Sequence, residues 1–203
     1  DNVTLSTMHG CPPDEIEAIG RYLLAERGLH TIVKLNPTLL GRADVLAILG
    51  DAGYTGIRIP EAVFDHDLQY NRAVQLIRSL GITARERGLH FGVKLSNTLA
   101  AANHRDALPG QEMYMSGRAL FPVTMQLFLR LSKEFRGRLA VSYSAGADAL
   151  NLPEILSCGA RPVTVVSDLL KPGGYGRLAQ YLENLEQVMA VSGAPSLDEL
   201  AAD

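Results

Sequence analysis

Two lysines, Lys34 and Lys94, sit sixty residues apart inside the same phrase. One copy reads Glu26-Arg27-Gly28-Leu29-His30-Thr31-Ile32-Val33-Lys34-Leu35-Asn36-Pro37-Thr38-Leu39. The other reads Glu86-Arg87-Gly88-Leu89-His90-Phe91-Gly92-Val93-Lys94-Leu95-Ser96-Asn97-Thr98-Leu99, and ten of the fourteen positions are identical. Each lysine interrupts an apolar, strand-like run. An unpaired charge in such a run is costly, so each lysine is expected to face a polar ligand or a partner carboxylate. A desolvated lysine would also suit a Schiff-base nucleophile.

Cys11 is a second reactive type. It follows a strand, near His9 and a helix starting at Pro13, a setting expected to lower a thiol pKa. Its plainer reading is a small turn residue beside Pro12. Cys158, at a helix end, reads as a buried small apolar side chain. Two cysteines cannot build a disulfide framework or a metal knuckle. His66 stands between Asp65 and Asp67, but adjacent side chains point different ways, so an exposed acidic loop is expected and no metal site. His30 and His90 hold the same place in each repeat, just before a strand, and read as structural. His104, Arg105 and Asp106 belong to a long loop over 100–115 that is expected to cover the site. Arg118 opens a helix, where it either reaches an anionic substrate or stays solvated. Tyr54, Tyr70 and Tyr143 read as core, and Met113 and Met115 as packing.

The elements that must position these residues alternate in type. Strands are expected over 3–6, 31–35, 56–59, 91–95, 139–143 and 163–166. Helices are expected over 14–26, 42–52, 68–87, 121–135, 152–158 and 175–191. Pro12-Pro13-Asp14 is a helix start, with Glu17 as capping-box partner. Gly28, Gly53, Gly88, Gly137 and Gly159 mark helix ends. Such alternation predicts a parallel sheet with crossover helices. The sixty-residue repeat reads as two strand–helix units, which favours a barrel over an open doubly wound sheet. A complete (β/α)8 barrel typically has about 250 residues. The expected fold is therefore α/β, an incomplete TIM-type barrel with about six parallel strands and the first two missing. Residues 1–203 form one domain, and the abrupt start at Asp1-Asn2 suggests a piece of a longer polypeptide. Open strand edges would then invite self-association.

Bulk properties narrow the function. Of 203 residues, 47% are hydrophobic and 20% charged, and the net charge is −3. That balance supplies no basic face for nucleic acid. No apolar run reaches the length of a membrane span, and no signal-peptide pattern opens the chain, so a cytoplasmic protein is expected.

In a barrel, sites form at the carboxyl ends of the strands. Here those ends read Ser6-Thr7-Met8-His9-Gly10-Cys11-Pro12, Lys34-Leu35-Asn36-Pro37, Arg58-Ile59-Pro60-Glu61, Lys94-Leu95-Ser96-Asn97-Thr98, Ser142-Tyr143-Ser144-Ala145-Gly146-Ala147-Asp148 and Ser167-Asp168. Glycines and small hydroxyl residues at the last two ends suit a phosphate, because backbone N–H groups can approach it closely. Lys171-Pro172-Gly173-Gly174 would add donors. The plainer reading of these glycines is tight turn geometry.

A family resemblance rests on these residues. Ser116-Gly117-Arg118-Ala119-Leu120, a long helix, Ser144-Ala145-Gly146, Cys158-Gly159-Ala160 and Ser167-Asp168 follow in an order that resembles the C-terminal half of the dihydroorotate dehydrogenase (DHODH) and dihydropyrimidine dehydrogenase barrels. Those are FMN-binding (β/α)8 enzymes. Val33-Lys34-Leu35-Asn36-Pro37 is similar to their lysine-bearing strand, and Asn97-Thr98 to their asparagine–threonine pair. Over nearly the whole chain, Ser6-Thr7-Met8-His9-Gly10-Cys11-Pro12-Pro13 and Leu108-Pro109-Gly110-Gln111-Glu112-Met113-Tyr114-Met115-Ser116-Gly117-Arg118 resemble the selenate reductase subunit family. Its members are long iron–sulfur flavoproteins, related in part to the glutamate synthase small chain, in which the barrel is one segment.

The resemblance implies a role for each position. Lys34 would lie near the flavin ring, where a cation stabilises the reduced isoalloxazine. Asn97 and Thr98 would bond the ring edge or the substrate, and Ser116 and Gly117 would flank the ribityl chain. Gly146 and the amides after Ser167 would hold the phosphate, and Cys11 would serve as general acid. Lys94 has no settled counterpart and is either a second anion contact or a structural ion-pair partner. FMN is implied for the barrel, with iron–sulfur clusters and FAD elsewhere in the parent protein. The implied partners are a small-molecule substrate and the other redox domains. The relatives have two adjacent glycines where this chain has Ala145-Gly146, and Asp168 beside Ser167 would repel a phosphate unless turned away. Three functions follow: a flavin-dependent oxidoreductase domain, a cofactor-free scaffold, or a Schiff-base aldolase using Lys34 or Lys94.

Overall fold

Alternation along His30–Leu35 sets the architecture: Thr31, Val33 and Leu35 are buried, while His30, Ile32 and Lys34 are partly open. The buried set faces helices, and the other set faces the concave side of a curved sheet. The computed structural model describes residues 1–7, 9–106 and 108–201. Met8, in the phrase quoted above, lies outside the described residues.

The chain runs β1 (Asn2–Ser6), α1 (Pro13–Ala25), β2 (His30–Leu35), α2 (Arg42–Asp51), α3 (Glu61–His66) and α4 (Tyr70–Glu86). It continues through β3 (Phe91–Leu95), β4 (Leu99–Ala102), β5 (Glu112–Met115), α5 (Phe121–Phe135), β6 (Ala140–Tyr143), α6 (Leu152–Ser157), α7 (Leu178–Ser192) and α8 (Leu197–Leu200). The main sheet has the order β1, β2, β3, β6, and every pairing in it is parallel. Strand order follows chain order without reversal, which is barrel-type winding. A doubly wound sheet would switch direction.

Two expectations about this sheet need correction. Residues 56–59 do not join it, so β2 pairs directly with β3 and Lys34 stands opposite Lys94. The sixty-residue repeat therefore covers neighbouring strands, not two strand–helix units. The last expected strand, 163–166, contributes a single parallel bridge, Tyr143 to Val163. Four strands and that bridge replace the expected six. Arg58 lies against the hairpin instead, where its carbonyl accepts from Ala102 N at 2.8 Å. The loop expected over 100–115 is largely an antiparallel hairpin of β4 and β5.

The core lies between the sheet and its helices. Val33, Leu35, Val93, Leu95 and Val141 pack with Ile16 and Leu24 of α1, Leu76 and Leu80 of α4, and Leu127 and Leu131 of α5. Gly20 lets α1 settle on α4, since a Cβ there would lie 2.7 Å from Leu80 Cδ1. Across that contact Arg72 bonds Asp14 and Glu17, and Ser79 donates to Glu17 at 2.6 Å. Glu17 is thus tied to α4. It is not the capping-box partner expected, because Pro12 caps α1 without a side-chain bond. Tyr143 is core as expected, but Tyr54 is exposed. Cys158 is exposed rather than buried.

Candidate functional site

Parallel register aligns four polar side chains across the concave face. Ser6 stands opposite Lys34, Lys34 opposite Lys94, and Lys94 opposite Ser142. Lys94 Nζ donates to Thr164 Oγ1 at 2.7 Å. Among the described residues Lys34 Nζ has no hydrogen-bond or ion-pair partner. Burial pushes the Lys34 pKa down, and the charge of Lys94 pushes it further. Burial alone lowers Lys94.

Just past the ends of β2 and β3, side chains form an amide network. Asn97 Nδ2 donates to Thr7 O and to Asn36 Oδ1, both at 2.8 Å. Ser6 Oγ donates to Asn97 Oδ1 at 3.1 Å, and Thr7 Oγ1 to Lys34 O at 2.8 Å. This network ends on Asp67, whose side chain is only 2% exposed. Asp67 Oδ2 accepts from Thr38 Oγ1 at 2.6 Å, Asn36 Nδ2 at 3.1 Å and His9 Nδ1 at 2.8 Å. Its Oδ1 accepts from Gly10 N at 2.9 Å. The other ring nitrogen, His9 Nε2, lies 3.1 Å from Thr98 O. Nδ1 lies against the Asp67 carboxylate and Nε2 against a carbonyl, an arrangement that favours the protonated ring. Burial alone would raise Asp67, but its bonds from His9, Thr38 and Gly10 outweigh that and hold it low. The bond to Asp67 raises His9 against the opposing effect of burial. Tyr114 of the hairpin stacks on His9, centroids 6.1 Å apart.

Asp67 and His9 were not among the expected site residues. Asp67 sits in a sequence that reads as an exposed acidic loop, and its partners lie 29 to 58 positions away. The one local hint is that it directly precedes the buried Leu68.

A second cluster gathers three of the expected cofactor residues. Gly146 packs on the backbone of Gly117, where a Cβ would meet Gly117 O at 2.3 Å. A Cβ on Gly117 would lie 3.4 Å from Ser167 Cβ. Among the described residues the amides of Ala145, Gly146 and Ala147 donate to nothing. Asp168, next to Ser167, is taken up by other donors. Lys171 Nζ lies 2.8 Å from its Oδ1, Arg177 Nε 3.1 Å and Tyr181 Oη 2.8 Å from its Oδ2. Burial would raise its pKa, yet these donors hold it far below the usual carboxylate range. Lys171 and Arg177 thereby offset the repulsion expected between Asp168 and a phosphate. Arg118 is neither free nor merely solvated, since it pairs with Asp148. Ser116 borders a cavity of about 500 Å3 shared with Tyr54, Arg58, His104 and Met113.

Cys11 differs from expectation. It packs against the core, and burial, then Glu15, push its thiol pKa up. It is not an activated thiolate, although a thiol that keeps its proton suits a proton donor. His30 and His90 meet at the opposite, amino end, with ring centroids 4.9 Å apart, away from both clusters.

A family model described as "Oxidoreductase YgfK, N-terminal TIM-barrel domain" matches residues 1–201. Over 184 residues the chain is 55% identical to YgfK of Escherichia coli strain K12, an oxidoreductase by name, covering 91% of this chain and 18% of that protein. The same figures hold for YgfK of Escherichia coli O157:H7. The chain thus spans 18% of the length of these curated relatives. Ligand-free DHODH from Eimeria tenella matches with a TM-score of 0.50 at 16% identity, over 93% of this chain and 58% of that one, which speaks to fold alone. DHODH of the same organism in complex with ferulenol matches with a TM-score of 0.49 at 15% identity, over 93% and 57%. The chain belongs to the family of YgfK-type oxidoreductase N-terminal TIM-barrel domains.

Proposed function

We propose that this domain binds FMN at the carboxyl ends of its strands and passes electrons between a small substrate and the other redox centres of a longer polypeptide. The observation that carries the reading is the approach of Gly117, Gly146 and Ser167 to one another, with three unpartnered amides beside them. That cradle fits a phosphate: close backbone approach, N–H donors without a partner among the described residues, and two nearby carboxylates, Asp148 and Asp168, each already paired with basic side chains. Lys34, on the concave face and without a partner among the described residues, supplies a cation for the flavin ring. Asn97, oriented by Asn36 and Thr7, and Thr98 present polar groups to the ring edge or substrate. Ser116 borders the ribityl side, and the cavity next to it has room for a small substrate.

Bound there, FMN would supply hydride and single-electron chemistry that no side chain of this chain can perform. The protein's share is to orient the ring, to set its charge through Lys34, and to hold a proton on Cys11 Sγ. The proposal extends to a cytoplasmic parent of the selenate reductase type, carrying iron–sulfur clusters and FAD outside this domain. The family relationship supports an oxidoreductase longer than this domain, and two free cysteines fit a reducing compartment. Among the described residues, no helix is long and apolar enough to cross a membrane.

Titration of the domain with FMN, followed by flavin fluorescence, tests the reading. Saturable quenching that the Lys34→Met variant weakens is the expected result. Failure to bind added FMN would favour the scaffold reading. The lowered pKa of Lys34 also suits a Schiff-base lysine; borohydride trapping of a carbonyl compound on Lys34 would establish that alternative.

A further inference from the structure

Lys94 is unexplained by the flavin reading, because Lys34 already supplies the cation near the ring. Its surroundings are specific. On adjacent parallel strands, roughly 4.8 Å apart, Lys34 and Lys94 project from in-register positions onto the same concave face. Among the described residues neither ammonium has an ion-pair partner, and no acidic group acts on either pKa. Two like charges without a counter-ion are a standing electrostatic cost. The row continues in hydroxyls: Ser6 beyond Lys34 and Ser142 beyond Lys94. Thr164 adds a third hydroxyl, already 2.7 Å from Lys94 Nζ. The Ser142 hydroxyl has no partner among the described residues.

We propose that Lys94, with Ser142 and Thr164 and beside Lys34, binds a compact oxyanion, a carboxylate or tetrahedral anionic group carried by the substrate. One anion with several oxygens satisfies every unmet group in the row. It offsets both ammonium charges and accepts from Lys94 and from the two hydroxyls, as charge-assisted bonds do. The inference goes beyond FMN binding and rests on the sheet register and the Lys94–Thr164 contact. It places the anion on the concave face, apart from the cradle at Gly146.

Calorimetric titration of the domain with inorganic phosphate at low ionic strength tests this, run with and without FMN. With FMN bound, wild type should bind one phosphate; without FMN the Gly146 cradle adds a second site that does not depend on Lys94. Lys94→Met should weaken the concave-face site roughly tenfold or more, the loss expected for one charge-assisted contact, and Thr164→Val should weaken it severalfold. Lys133→Met, on α5, should change nothing. Circular dichroism of each variant checks folding. If wild type takes up no phosphate, or Lys94→Met binds it like wild type, the proposal is overturned. If FMN displaces the Lys94-dependent phosphate and Lys94→Met loses both, the row belongs to the cofactor and the substrate site is likewise overturned. FMN fluorescence keeps the two ideas separate. Lys94-dependent phosphate binding without FMN binding leaves this site standing and removes the flavin reading, and the reverse result does the opposite.

Discussion

At Asp67 a carboxylate oxygen takes three side-chain donors while the other takes a backbone amide. Removing its charge takes the carboxylate from half-buried His9 and from the donors of Thr38, Asn36 and Gly10, so Asp67→Asn should cost about 2 kcal/mol, below the range for a fully buried pair. The pH dependence has a definite sign. His9 is raised above its ordinary 6.5, so its contribution is complete below 6.5 and fades as pH climbs through the folded value. Asp67 is lowered below its ordinary 3.8, so its contribution is complete above 3.8 and fades as pH drops through the folded value. Urea unfolding of wild type and Asp67→Asn should therefore differ most near pH 5 and less near pH 9, on the order of linkage expectations. An equal difference at both would contradict the ion pair. Lys34 was legible because a repeated apolar phrase frames it. Asp67 was not, since its burial comes from distant residues after β1 and β2 and leaves only the neighbouring Leu68 as a local mark.

Among the elements, the glycines of β3 and of the turn after β6 do different work from those at helix ends. The second repeat has Gly92 where the first has Ile32. A Cβ at Gly92 would lie 2.7 Å from Ala140 O, so β3 approaches β6 only without a side chain there. Gly146 combines a φ of 71° with a 2.3 Å approach to backbone. Gly146→Ala should cost about 3 kcal/mol from strain and overpacking together. Gly137→Ala, at a φ of 69° with nothing within 4 Å, should cost about 1 kcal/mol. Thermal or urea unfolding checks both, and equal costs would mean that the Gly146 turn does not pack as described. Hydrophobic periodicity identified most helices and four of the strands. It misplaced residues 56–59, whose short apolar alternation suits a sheet edge and a hairpin flank equally. It also missed the hairpin, because the long segment 103–111 separates Leu99–Ala102 from Glu112–Met115 where a short hairpin loop would have signalled the pairing.

The whole molecule presents a curved sheet whose edge at β1 has a neighbour on one side only, while its other edge is covered by a single bridge. Unpaired edges recruit other strands. We expect the isolated domain to self-associate, with size-exclusion chromatography and light scattering showing a mass above 21.9 kDa. A monomer at all concentrations would contradict that. The barrel winding could be read from alternating elements, but the number of strands could not, because pairing is decided across distances that periodicity does not report. The central claim is that the rim from Lys34 to Gly146 holds a flavin. Its most direct test is the visible spectrum of the domain mixed with FMN and separated from free flavin, beside that of the full-length parent. Co-eluting, perturbed flavin absorbance that denaturation releases is the predicted result; colourless protein in both samples would contradict the account.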